Sequence, residues 1–188
     1  FPHGMFQSVY DYPYLSSSAN HILDLTMGYS SNSVLSKSTA TDAVQQAKKI
    51  NIYNEMAQVL VGFNESGSIR EFDEDGDLTQ GTKIQEAFFF NFTRLLAKDE
   101  LKKGNFTLEL GTNAEFATPF GASGATTSGS ITLTDASGSS GYKVNSPAGE
   151  YGVLYATSSQ TAGTQNPLDT TKIDQNGRVP AGLIYYQA

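Results

Sequence analysis

Three aspartates at alternate positions, Asp73, Asp75 and Asp77, have the spacing with which a calcium loop gathers carboxylates at its first, third and fifth places. Such a loop also needs a Gly at the sixth place for its turn and a bidentate Glu at the twelfth. Here the sixth place is Leu78, the twelfth is Ile84, and Gly76 stands too early. The expectation is an acidic, solvated turn with no metal ligand. His3 and His21 are the only imidazoles, and neither sits in a Ser, His, Asp arrangement or a His-x-x-x-His spacing that could build a triad or hold zinc. Glycoside hydrolysis needs only two carboxyl groups at a suitable separation, and Glu71 and Glu86 are acids of that kind. Their places in the sequence do not set them opposite each other, so no catalytic residue is assigned. The Gly-rich stretch Gly121 to Gly141 lacks Gly-Lys-Ser/Thr and any strand-to-helix setting for Gly-x-Gly-x-x-Gly, which leaves it a flexible spacer and no phosphate cradle. No cofactor is implied. Asn64-Glu-Ser66, Asn91-Phe-Thr93 and Asn105-Phe-Thr107 satisfy the glycosylation sequon, but a chain this rich in Asn, Ser and Thr reaches that pattern by chance.

The elements that must position these residues belong to a chain of 188 residues, enough for one domain with extended arms. A net charge of −7 repels phosphate backbones, and no Lys/Arg cluster offsets it, so nucleic acid is excluded as a partner. The absence of Cys removes disulfides, thiolate metal sites and cysteine nucleophiles, and fits a reducing or an oxidising compartment equally. No run approaches the roughly 18 apolar residues that cross a bilayer, and no basic region leads into an apolar stretch at the N-terminus, so no membrane anchor or signal peptide is expected. The chain opens Phe1-Pro-His-Gly4 and closes Gly182-Leu-Ile-Tyr-Tyr-Gln-Ala188, reading as a segment of a longer polypeptide whose last strand continues.

Residues 1–40 mix Phe6, Tyr10, Tyr12 and Tyr14 with Ser and Asn, and Pro2 and Pro13 disfavour helix, so they read as an extended N-terminal arm. An arm of this kind lies on a neighbouring surface, of its own chain or another. Thr41 or Asp42 can cap a helix over about residues 42–61, its inner face Ala43, Ala47, Ile50, Tyr53, Ala57 and Leu60, its outer face Gln45, Lys48, Lys49 and Glu55, with Gly62 to end it. Asp75-Gly76 predicts a hairpin or tight loop after Ser68 to Phe72. Ile84 to Leu96 fits both a helical stripe behind a Thr82-x-x-Gln85 capping box and a period-two aromatic strand, and we take the strand. Lys98 to Lys103 reads as one helical turn stopped by Gly104, and Phe106 to Leu110 as the next strand. Residues 118–141 read as a flexible Gly/Ser-rich insertion in which Ser130 to Thr134 alternates within a short hairpin. Tyr142 to Val144, Tyr151 to Tyr155 and Leu183 to Tyr186 are further strands, around a Pro147-Ala-Gly149 turn and a polar loop at 157–181 with an Asn176-Gly177 turn. The sum is an α+β, strand-dominated fold: an antiparallel β-sandwich-like domain over residues 41–188 with one main helix and extended arms.

Several segments carry a resemblance when taken together: Asp42 to Phe63 with Lys48-Lys-Ile-Asn-Ile-Tyr-Asn54, Glu71-Phe-Asp-Glu-Asp-Gly-Asp77, Thr82-Lys-Ile-Gln-Glu-Ala-Phe88, Lys98-Asp-Glu-Leu-Lys-Lys-Gly-Asn-Phe-Thr-Leu108 and Asn145-Ser-Pro-Ala-Gly-Glu-Tyr-Gly152. The chain resembles virion structural proteins of contractile-tailed bacteriophages, of the type infecting cyanobacteria, through most of residues 5–188. The likeness lies in overall sequence texture and carries over no catalytic residue. It implies a non-enzymatic component of a virion tail or baseplate whose partners are copies of itself and other virion proteins, with a host-surface glycan as a further partner. It also implies a longer protein, since members of that family continue past the Gly-Leu-Ile-x-Tyr-Gln-Ala segment. The alternative from another class is a secreted or surface-attached adhesin or carbohydrate-binding domain, in which Tyr10, Tyr12 and Tyr14 offer stacking platforms to sugars.

Overall fold

The computed structural model describes residues 6–11, 20–37, 43–93, 100–112, 129–158, 168–173, 176 and 178–187. Strand β1 is Phe6–Tyr10 and β2 is His21–Tyr29. Leu23, Leu25, Met27 and Tyr29 alternate along β2 with Asp24, Thr26 and Gly28, the period-two pattern of a strand. It is the middle strand of a three-stranded antiparallel sheet, flanked by β1 and by β5 (Glu86–Phe92). The arm expected over residues 1–40 is therefore part of the chain's own sheet from His21 onward, and its described edge strand pairs with that same sheet. The strand reading of Phe88 to Phe92 holds: Phe88 pairs with Met27 and Phe90 with Leu25, and pairing with β2 leaves no place for the helical alternative.

Helix α1, Ala43–Leu60, packs on β2. Gly62 at φ +73° ends it, its N–H bonding the Ala57 carbonyl at 3.0 Å, a left-handed cap that glycine adopts without a Cβ clash. The proposed cap residues Thr41 and Asp42 lie outside the described residues. Tyr53, Ala57 and Leu60 of the expected inner face lie in or against the core, joined by Ile52 and Met56, whereas Ala47 is exposed and Lys48 and Lys49 are half-buried. Close approach of the helix backbone to β2 over Gly28 selects this face, since an ideal Cβ on Gly28 would stand 2.8 Å from the Tyr53 N and 3.0 Å from the Lys49 O.

The second sheet has the order β10-β9-β7-β6, with β8 beside β9, all antiparallel. Its strands are β6 (Thr107–Gly111), β7 (Ser130–Thr134), β8 (Lys143–Ser146), β9 (Gly149–Ser158) and β10 (Val179–Tyr185). Ser130 to Thr134 is thus an inner strand between β6 and β9 and no tethered hairpin, and buried Gly138 lies in a single helical turn, α2 (Gly138–Gly141). Residues 118–128 of the expected insertion lie outside the described residues. Of the turn expected over Lys98 to Lys103, residues 98 and 99 lie outside the described residues; Glu100 to Lys103 are not helical, and the Leu101 N–H bonds the Tyr186 carbonyl at 3.1 Å. β10 begins at Val179, earlier than expected, because Pro180 is accommodated at a bulge on an edge strand.

Between the two sheets lies the core. Tyr53, Ala57, Val61, Phe72 and Leu78 form its centre, Phe89 closes it from the first sheet, and Leu183 and Tyr185 close it from the second. Tyr53 organises the cluster: its ring meets Phe72 edge-on at 5.4 Å and Phe89 at 6.4 Å, while its hydroxyl donates to the Ile84 O at 2.6 Å and accepts from the Phe72 N–H. Burial pushes that hydroxyl's pKa upward. The result is a strand-dominated, antiparallel α+β fold with one main helix, as the sequence pattern indicates. Among the described residues no helix is long and apolar enough to cross a membrane.

Candidate functional site

The acidic turn hangs from a short hairpin, β3 (Phe72–Asp73) with β4 (Lys83–Ile84). Antiparallel register sets Phe72 opposite Ile84 and Asp73 opposite Lys83, so the apolar pair faces the core while the charged pair meets across the ladder. The turn expected at Asp75-Gly76 is present, with Gly76 at φ +73°. Carboxylate oxygens of Asp73, Asp75 and Asp77 lie within 4.8 Å of one another. Each carboxylate accepts at least one backbone N–H from inside the loop. Asp73 accepts from the Asp75 N–H at 3.2 Å and Asp75 from the Asp77 N–H at 3.0 Å. Asp77 accepts from the Thr79 N–H at 2.8 Å and the Gln80 N–H at 3.1 Å. Each is an aspartate folding its own backbone two or three residues on.

One of the three aspartate charges is met by the loop's own lysine. The Lys83 ammonium pairs with Asp73, whose side chain is 0% exposed, and reaches the Gln80 carbonyl at 3.2 Å. A cation needed to offset the buried carboxylate is thereby covalently supplied. The hydrogen bond with Asp73, ahead of the charges of Asp73 and Asp77, raises the Asp75 pKa above its ordinary value, whereas the N–H groups of Thr79 and Gln80 lower that of Asp77. Beneath the loop the Tyr151 hydroxyl lies 2.6 Å from both the Gly76 O and the Asn145 Oδ1, and burial, with the three aspartates adding to it, pushes its pKa up to about 12. Leu78, at the place where a calcium loop has its Gly, holds φ +66° and is buried in the core cluster. Core burial of about 1.5–3 kcal/mol outweighs the roughly 1–2 kcal/mol that this conformation costs a residue with a Cβ. Chemically the arrangement is a staple: it anchors the hairpin tip to the second sheet through Tyr151 and Asn145.

Other residues singled out from the sequence take structural partners. His21 Nε2 lies 2.9 Å from Asp24 Oδ1 and its Nδ1 lies 3.2 Å from Thr93 Oγ1, while Ser8 donates to the same Asp24 oxygen at 2.6 Å. The cluster ties β1, β2 and the end of β5 together, with Tyr10 against the imidazole at 5.1 Å. Ser8 is bonded to the carboxylate and not to the imidazole, so it is not placed as a nucleophile with His21 as its base. Glu71 and Glu86 converge on one turn: Glu71 accepts from Ser30 Oγ and, at 3.1 Å, from Asn32 Nδ2, and Glu86 accepts from Ser33 Oγ at 2.7 Å. Asn64 uses its side-chain oxygen to accept from the Ser66 and Ser68 N–H groups, closing a surface turn. His3, Tyr12 and Tyr14 lie outside the described residues.

Asp135 was not indicated by sequence. Its side chain, 1% exposed, accepts from the Gly104 N–H at 2.6 Å, the Phe106 N–H at 2.8 Å and the Tyr186 hydroxyl at 3.2 Å. It joins the turn before β6, the end of β7 and the residue after β10. An Asp at the end of an alternating run reads as an ordinary turn residue, and only the meeting of three distant segments makes it a buried hub.

Comparisons with protein-family models, with curated proteins and with solved structures find no match.

Proposed function

We propose that the chain is a non-enzymatic structural component of a bacteriophage virion, in the tail or baseplate, acting through contacts with copies of itself and with other virion proteins. The resemblance in sequence texture supports this reading, and one structural observation carries it. Large apolar side chains stand exposed on two peripheral strands: Phe88 on β5 and Val144 on β8. A peripheral strand presents backbone donors and acceptors, and apolar side chains beside them favour pairing with another chain, the contact on which repeated assemblies are built.

Mass spectrometry of purified phage particles tests the proposal: the chain is expected in fixed stoichiometry with other virion proteins. Recovery instead as a free secreted monomer that binds glycan arrays would replace it with the adhesin reading.

A further inference from the structure

Strand β5 differs from the other ends of the two sheets. β10 carries Pro180 and a bulge, β1 has a bulge between Val9 and Tyr10, and β6 carries Glu109 at its middle, all devices that discourage pairing at an edge. β5 runs seven residues in unbroken register with β2, contains no Pro, and has its one charge, Glu86, at its start.

Its hydrogen-bonding sides can be assigned. The Ser30 N–H bonds the Gln85 carbonyl and the Thr93 N–H bonds the Ile22 carbonyl. Antiparallel pairs alternate, so Ala87, Phe89 and Asn91 also bond β2, and Glu86, Phe88, Phe90 and Phe92 turn their N–H and C=O groups to the open side. Among the described residues no strand pairs with that side. Phe88, Phe90 and Phe92 share one face, with Phe88 64% exposed and Phe92 held against Phe106 at 5.7 Å. Beyond Glu86 the edge continues into an open groove of about 240 Å³ lined by Glu74, Lys83, Ile84, Gln85, Pro180 and Ala181.

We infer that this edge pairs with β5 of a second copy, antiparallel about a twofold axis at Phe88. The inference rests on the virion reading above and names the surface through which copies meet. Only even-numbered residues face outward, and a twofold at Phe88 sets Phe88 against the partner's Phe88 and Glu86 against the partner's Phe90, so each outward donor meets an outward acceptor. The phenylalanines of both copies fall on the same face of one six-stranded sheet. The partner's Asn91 and Thr93 run along the polar groove. The two Glu86 carboxylates end up four residues apart along the strand, about 13 Å at ~3.3 Å per residue, beyond the ~8 Å over which exposed charges interact at physiological salt. Strand addition of this length is a small interface, so the contact in free solution is weak and gains strength from repetition in an assembly.

The test uses the purified chain alone. Amide exchange by NMR at low and high protein concentration should show Glu86, Phe88 and Phe90 gaining protection as concentration rises, with Ala87, Phe89 and Asn91 already protected. Sedimentation equilibrium should show self-association weakened at least about tenfold by Phe88→Lys, which sets like charges directly opposite each other across the twofold. No concentration dependence, protection gained on β6 or β8 instead, or association indifferent to Phe88→Lys would each overturn the inference. Should Phe88→Lys not fold, the alternating amide pattern of the unmodified chain decides alone. Particle stoichiometry is a separate measurement, so failure here leaves the virion reading standing and locates the subunit contact elsewhere.

Discussion

Replacing Gly28 by Ala should separate α1 from the sheet it packs on. An ideal Cβ at this position lies 2.8 Å from the Tyr53 N, 3.0 Å from the Lys49 O and 3.1 Å from the Tyr53 Cα. All three are backbone atoms of a helix, so no rotamer change relieves the overlap, and the helix must retreat by about half an ångström to restore ordinary contact. Tyr53 moves with it, and Tyr53 carries the bonds to Ile84 and Phe72 and the ring contacts at the core centre. Overpacking of this kind costs typically 1–3 kcal/mol, and the reduced entropy of the unfolded Ala chain returns only about 0.4–1. A net loss of about 0.5–2.5 kcal/mol is expected, which lowers Tm by roughly 2–4 °C per kcal/mol in a chain of this size. Urea unfolding measures it as a shifted midpoint at unchanged slope. Gly182→Ala is the control, because that Cβ meets nothing within 4 Å and should change stability by less than about 0.5 kcal/mol. Equal stability of Gly28→Ala and the unmodified protein would refute the close approach of α1 to β2.

Asp135→Ala strands the Gly104 and Phe106 N–H groups and the Tyr186 hydroxyl. With about 1–3 kcal/mol for each buried donor, and water able to reach exposed Gly104, a loss of about 2–4 kcal/mol is expected by chemical denaturation, with faster amide exchange at both residues. Because the Asp75 carboxyl binds its proton more tightly folded than unfolded, stability conferred by that proton is lost as pH rises above the ordinary 3.8. Asp75→Asn, which keeps the acceptor for the Asp77 N–H, should be at least as stable as the parent at pH 7 and should flatten stability curves measured between pH 3 and 7. Calcium calorimetry should give no submicromolar site, since Lys83 already pairs with Asp73 and the twelfth place is Ile84; a tight isotherm abolished by Asp75→Ala would overturn this. At high pH, Tyr151 holds its proton to about 12 and burial raises Tyr53, Tyr185 and Tyr186 as well, while the same side chains ionise near 10 once unfolded. The unfolded state then binds fewer protons, so stability falls as pH climbs past 10, and phenolate absorbance at 295 nm should rise together with loss of circular dichroism.

Local pattern was enough for most elements. Period-two runs at Phe106 to Leu110, Ser130 to Thr134 and Tyr151 to Tyr155 are strands, the helix ends at Gly62 as its left-handed cap requires, and Asp75-Gly76 turns. His21 to Tyr29 has the same alternation, but the aromatic, Ser-rich stretch around it reads as an arm, and its β2 identity rests on β1 and β5 pairing with it. Sequence by itself determined the strand-rich composition, the single main helix and the acidic turn, because backbone sterics and side-chain periodicity act within a few residues. Tertiary structure alone decided that Ile52 and Met56 join Tyr53 and Ala57 on the buried face of α1 and that Gly28 admits the helix backbone. It likewise decided that Lys83 neutralises Asp73 across the hairpin and that Asp135 collects donors from Gly104, Phe106 and Tyr186. Those interactions join residues from separate segments, and their energies exist only once the chain has closed the loops between them.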